Sequence, residues 1–127
     1  MNSASETQAL PIPTRVLIGA FGVSGVVHLV KPKVFYPLIP PALGSPRLWT
    51  YGSGAAELVC AGGLATQSPW APRLSAALLA GIWVGNIWMA VRETQRSPRR
   101  PPMLVAAWLR VPLQVPMIRW ALASPTR

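Results

Sequence analysis

Residues 12–30 read IPTRVLIGAFGVSGVVHLV, and this stretch decides how the chain is to be read. It runs for 19 residues, with Arg15 near its start and His28 near its end. A helix crossing the hydrocarbon of a bilayer needs about 20 apolar residues, with a range of roughly 17–25. Three more stretches of that kind follow. Residues 49–66 are broken only by Glu57, residues 74–91 have Asn86 as their most polar member, and residues 103–122 contain Arg110, Gln114 and Arg119. The expected fold is therefore all-α, an integral membrane four-helix bundle with transmembrane spans over 12–30, 49–66, 74–91 and 103–122.

Composition points the same way. In 127 residues, 51% are hydrophobic and only 12% charged. A soluble domain carries roughly a quarter of charged residues and, at this size, exposes most of its surface. Disorder is excluded for the body of the chain, because disordered segments are poor in apolar residues. One cysteine, Cys60, leaves no internal disulfide or dithiol pair, and one histidine, His28, leaves no two-histidine haem or zinc site within a subunit. The formal charge of +9 is carried by residues that flank the apolar stretches and form no stripe, so it speaks for lipid headgroups and against nucleic acid.

The remaining segments behave as tails and connections. Residues 1–11 are small and polar and lack the basic n-region of a signal peptide. They are expected to be a disordered tail, with the first span retained as an anchor, and residues 123–127 form a short C-terminal tail. Residues 31–48 hold five prolines around the apolar Val34–Pro41, which is expected to lie along or dip into the interface. Trp49, Trp70, Trp88 and Trp120 fall near span ends, where indoles keep the ring in apolar surroundings and the N–H toward water. Lys31, Lys33, Arg47, Arg92, Arg96, Arg99 and Arg100 belong to the first and third connections, against Arg15, Arg73 and Arg127 elsewhere. The positive-inside rule then puts the two long connections in the cytoplasm and both termini outside.

Polar groups inside a span are costly and tend to be paired or functional. Measured from the long-connection side at about 1.5 Å per residue, His28, Glu57, Asn86 and Arg110 lie at depths of roughly 3, 12, 7 and 10 Å. Each comes from a different helix, and Gln114 lies one turn below Arg110 on the same face. Glu57 and Arg110 have opposite charge at similar depth and are expected to pair. Two readings stay open. The pair can lock the bundle, with Asn86 and Gln114 as interhelical hydrogen bonds. Alternatively, all five can line a polar cavity that binds a ligand or moves protons, covered by Val34–Pro41. Small residues at Gly19, Gly22 and Gly25, at Gly52 and Ala56, at Gly62 and Gly63, and at Ala77, Gly81 and Gly85 are expected to be helix contacts. Pro112 and Pro116 should kink the fourth span, with Arg110 or Gln114 satisfying the freed carbonyls.

Four of these segments together resemble the DoxX-like family of small membrane proteins. His28-x-x-x-Pro32-x-x-Phe35 with Ile39-Pro40-Pro41 resembles the end of that family's first helix, and Gly54-Ala55-Ala56-Glu57-Leu58 its second-helix Gly-x-x-Glu-Leu. Asn86-Ile87-Trp88-Met89-Ala90 is similar to its third helix, and Arg110-x-Pro112-Leu113-Gln114 with Trp120-Ala121 to its fourth. Val84 stands where relatives often have proline. The resemblance implies a multi-pass protein of the bacterial cytoplasmic membrane, linked with redox chemistry such as thiosulfate-to-quinone electron transfer. It also implies a partner in a membrane redox complex, or a homo-oligomer. No resident cofactor is expected, and a quinone would enter as a ligand. Two functions follow as expectations: a non-catalytic accessory subunit or lipophilic-ligand-binding bundle, and a small enzyme using Glu57 for proton transfer on a lipophilic substrate. The ligand-binding candidates are His28, Glu57, Asn86, Arg110 and Gln114, with Glu57 the catalytic candidate.

Overall fold

A computed structural model of the chain describes residues 9–127. Among the described residues it is all-α: α1 (Ile12–Val30), α2 (Pro46–Ala65), α3 (Ala71–Gln95) and α4 (Pro101–Leu122), with no strand. Two short 3-10 segments, Pro32–Leu38 and Pro41–Leu43, form the connection between α1 and α2. Of the tail expected over residues 1–11, residues 1–8 lie outside the described residues; residues 9–11 precede α1 without helix.

The expected boundaries shift for a reason the prolines supply. Pro46, Pro72, Pro101 and Pro102 sit in the first turns of α2, α3 and α4, where a missing N–H costs nothing and the fixed φ suits a helix. Each helix therefore starts two or three residues earlier than a reading of proline as a stop implies. Ser45 caps α2 by accepting a hydrogen bond from the Leu48 N–H at 3.3 Å. At its other end α3 runs on through Arg92-Glu93-Thr94-Gln95, because polar residues do not stop a helix; it ends just before Ser97-Pro98.

The four helices form two hairpins. Along α1 and α2 the partners run in opposite order, with Gly25 against Leu58 and His28 against Gly54. Along α3 and α4, Gln114 reaches Leu79 and Trp83 reaches Val111. Within each hairpin the packing is close, whereas between hairpins α2 meets α3, and α1 meets α4, far more sparsely. The dry part of the core lies at the end near the α2–α3 turn, built from Leu17, Phe21, Cys60, Leu64, Ala76, Leu79 and Ala121 with their neighbours. That end is tied by a Thr14–Ser124 hydroxyl bond of 2.9 Å and by the Arg127 N–H on the Gln67 carbonyl at 2.8 Å.

Polar side chains share the interior with the apolar core, and apolar ones cover much of the outside. Buried positions include Thr14, His28, Thr50, Glu57, Ser75, Asn86, Glu93 and Gln114. The outer surface carries Ile12, Val23, Val30, Leu48, Val59, Val105, Leu109 and Leu122. A large exposed apolar surface is informative, where single exposed leucines are not. Two helices, Ile12–Val30 and Ala71–Gln95, are long and apolar enough to cross a membrane.

Candidate functional site

The hairpins separate at the end of the long connections and frame a half-open cavity of about 660 Å³, within the roughly 300–1,000 Å³ of small-molecule sites. All four helices contribute, and so do all five residues singled out by depth: His28 from α1, Glu57 from α2, Asn86 from α3, and Arg110 and Gln114 from α4. Phe35, Leu38, Ile39, Pro40 and Leu43 of the first connection close it from above, so the apolar Val34–Pro41 segment lies against protein.

The expected Glu57–Arg110 pair does not form. Glu57 is 3% exposed and faces His28, with Oε2 at 3.3 Å from Nδ1. Arg110 is exposed and has no ion pair among the described residues. Depth sets a residue's height in the bundle and says nothing about which neighbour its helix has. The α2 helix packs on α1 and α3, and α4 stands diagonally across the cavity.

A close backbone approach brings His28 to Glu57. A Cβ at Gly54 would stand 2.6 Å from the His28 Cβ, and one at Gly25 would stand 2.9 Å from the Gly54 carbonyl oxygen. Neither position admits a side chain without moving a helix. His28 is held on two further sides. Its Nδ1–H donates to the Ser24 carbonyl at 2.6 Å, and its ring stacks on Phe35 with centroids 3.5 Å apart and planes 13° from parallel. With Nδ1 committed to Ser24, Glu57 Oε2 is left buried without a hydrogen bond.

Gln114 crosses to α3 and donates to the Leu79 carbonyl at 3.0 Å, so it bonds a partner helix and no carbonyl freed in its own. The Trp83 indole donates to the Val111 carbonyl at 2.8 Å, beside the turn that Pro112 loosens. Asn86 and Arg110 make no hydrogen bond or ion pair among the described residues. Among the described residues the cavity wall thus holds an amide and a guanidinium without protein partners, and a carboxyl group that faces His28 and makes no hydrogen bond through its buried Oε2. Ala77, Gly81 and Gly85 all line the cavity, and a Cβ at Gly81 meets nothing within 4 Å. This small-residue stripe, expected as a helix contact, makes room at Gly81, while Gly85 lets the first connection approach, with the Leu38 carbonyl oxygen 3.1 Å from where a Cβ would stand.

Several lining residues escaped the sequence reading. Thr50 and Ser53 continue from the expected Glu57 as a polar stripe along one face of α2, at helical spacing of three and four residues, and that period was the available signal. Ser24, one turn before His28, was another. Trp49, expected at the interface, lines the cavity while its indole N–H donates to the Leu43 carbonyl at 2.8 Å.

The fold and site define a small helical bundle with an apolar cavity ringed by polar side chains from every helix. Residues 17–124 match the model of a domain of unknown function, DUF8561, and the chain belongs to that family. No curated protein and no solved structure matches it.

Proposed function

We propose that the chain is a four-span membrane bundle that binds a small lipophilic molecule with an oxygen-bearing head, as an accessory protein of membrane redox or quinone metabolism. The observation that carries this reading is the cavity of about 660 Å³ in which five polar side chains converge among apolar walls. Arg110 and Asn86 offer donors to a carbonyl or ring oxygen, and Glu57 offers an acceptor to a hydroxyl. A reduced or oxidised quinone head has both kinds of oxygen. The DoxX-like motifs support the redox setting, since they fall on these same residues. Four spans are supported by the hairpins: α2 runs antiparallel along α1, and α4 along α3, so a membrane crossed by α1 and α3 is crossed by their partners too. The exposed Val105, Leu109 and Leu122 of α4 suit lipid despite the prolines and arginines of that helix.

The test is titration of a short-chain ubiquinone into the protein in nanodiscs, followed by tryptophan fluorescence, because Trp49 lines the cavity. Saturable quenching is expected. Gly81→Phe fills the cavity from a position with open space, and it should leave the helical content intact while abolishing the saturable component. Quenching that is unsaturable, or unchanged in Gly81→Phe, would remove the cavity as the binding site.

A second reading, a membrane enzyme, is favoured by the unpaired oxygen of Glu57 at the cavity wall. A carboxyl so placed can pass a proton to or from a bound hydroxyl or carbonyl oxygen. Glu57→Gln keeps the shape and removes the titration. On this reading the variant binds and fails to turn over; on the first it binds more weakly and no turnover exists to lose.

A further inference from the structure

A second pocket, of about 720 Å³, opens beyond the far side of the first connection and shares no residue with the cavity above. Its walls are Tyr36 and Pro37, the last turn of α3 with Arg92, Glu93 and Arg96, and Arg100 just before α4. Glu93 is 3% exposed and pairs through Oε1 with Arg100. Its other oxygen, Oε2, is buried without a hydrogen bond. Arg92 and Arg96 are exposed and lack a carboxylate partner among the described residues. Arg92 is in the last turn of α3 and Arg96 follows its end, four residues on from Arg92, close enough for like charges to repel. The Arg92 guanidinium lies over the Trp88 ring, 5.9 Å from its centroid, which fixes its direction.

We infer that this pocket binds the headgroup of an anionic phospholipid of the phosphatidylglycerol type. The inference rests on the membrane reading above. Arg100 is neutralised by Glu93, so Arg92 and Arg96 leave two uncompensated cations. One phosphodiester between them removes their repulsion and gains charge-assisted hydrogen bonds, for which guanidinium geometry suits phosphate. Glu93 holds Arg100 at the pocket and presents Oε2, which needs a donor that the protein does not supply. A headgroup hydroxyl supplies one, and phosphatidylglycerol carries phosphate and hydroxyls together. The Tyr36 hydroxyl is a further group of the kind that binds phosphate oxygens. The position agrees as well: the pocket lies where α3 ends, at the height of the headgroups if α3 spans.

Native mass spectrometry from nanodiscs of mixed phosphatidylglycerol and phosphatidylcholine reads this directly. The wild type should retain one phosphatidylglycerol in preference to phosphatidylcholine. Arg92→Gln/Arg96→Gln should lower that preference by roughly 30-fold. Lys31→Gln/Lys33→Gln removes the same charge outside the pocket and should leave most of it. Phosphatidic acid, with the phosphate and no headgroup hydroxyl, should be retained less well than phosphatidylglycerol. Equal loss in both double variants would overturn the site in favour of general surface charge, and equal retention of phosphatidic acid would overturn the role given to Glu93. Inorganic phosphate added at millimolar level should not displace the lipid; displacement would identify a soluble phosphate as the ligand and overturn the lipid assignment. Failure of the protein to enter nanodiscs at all would instead strike the membrane reading.

Discussion

At the scale of the residue, the pairing of Glu57 turns on the direction in which side chains lean. On an α-helix each Cα–Cβ bond tilts toward the N-terminus. The N-terminus of α1 is at the far end from the cavity, so His28 leans down into the bundle. That of α2 is at the cavity end, so Glu57 leans up. His28 stands level with Gly54, three residues before Glu57, so the two backbones differ in height by roughly 4.5 Å at the rise of a helix, and the side chains lean toward each other to meet at 3.3 Å. That these five residues share one end of the bundle was legible in the sequence; their exact heights were not, because the helix starts shifted by two or three residues, and neither were their partners, because pairing depends on helix order around the bundle and on side-chain lean. A double-mutant cycle decides the matter energetically. His28→Ala and Glu57→Ala, measured by unfolding in detergent, should couple by about 0.5–3 kcal/mol, the range for residues in contact. Glu57→Ala and Arg110→Ala should be additive within about 0.5 kcal/mol, as for residues that share no partner. Coupling only in the second cycle would restore the Glu57–Arg110 pair.

At the scale of the element, glycine does two opposite jobs. Gly25 and Gly54 allow α1 and α2 to touch through their backbones, and that contact carries His28 to Glu57. Gly22 and Gly52, on the same two helices, have open space where a Cβ would go. The sequence shows all of them as small residues and gives no sign of which face meets a helix, since an apolar helix in a membrane has little contrast between its lipid side and its packed side. The consequence is measurable. Gly54→Ala should destabilise by roughly 1–3 kcal/mol through overpacking. Gly22→Ala and Gly52→Ala should be neutral or stabilising by up to about 1 kcal/mol, the gain in helix propensity. Thermal unfolding of the three variants in one detergent would check the order. The ends of the elements carry a related lesson: a proline between two apolar runs marks a break, and the break lies before the proline when it occupies the first turn, as at Pro46 and Pro101.

At the scale of the whole molecule, two tight hairpins joined sparsely leave a bundle dry at one end and hollow at the other. The hollow end is also the basic end: Lys31, Lys33, Arg47, Arg92, Arg96, Arg99 and Arg100 all lie on the connections or first and last turns there. Acidic residues count little toward orientation, so the Glu93–Arg100 pair does not weaken the bias. If the bundle spans a membrane, that end faces the cytoplasm, and the cavity takes its ligand from the cytoplasmic leaflet. Fusions at two places test orientation and span number together. Alkaline phosphatase at the C-terminus should be active and a fluorescent protein there dark. A reporter inserted after Ser97, between α3 and α4, should give the opposite pattern. Reversal at both places would invert the orientation and keep the four crossings. The same signal at both places would mean that α4 does not cross, and the four-span reading would fall, because α4 packs antiparallel on α3 and cannot lie flat while α3 spans.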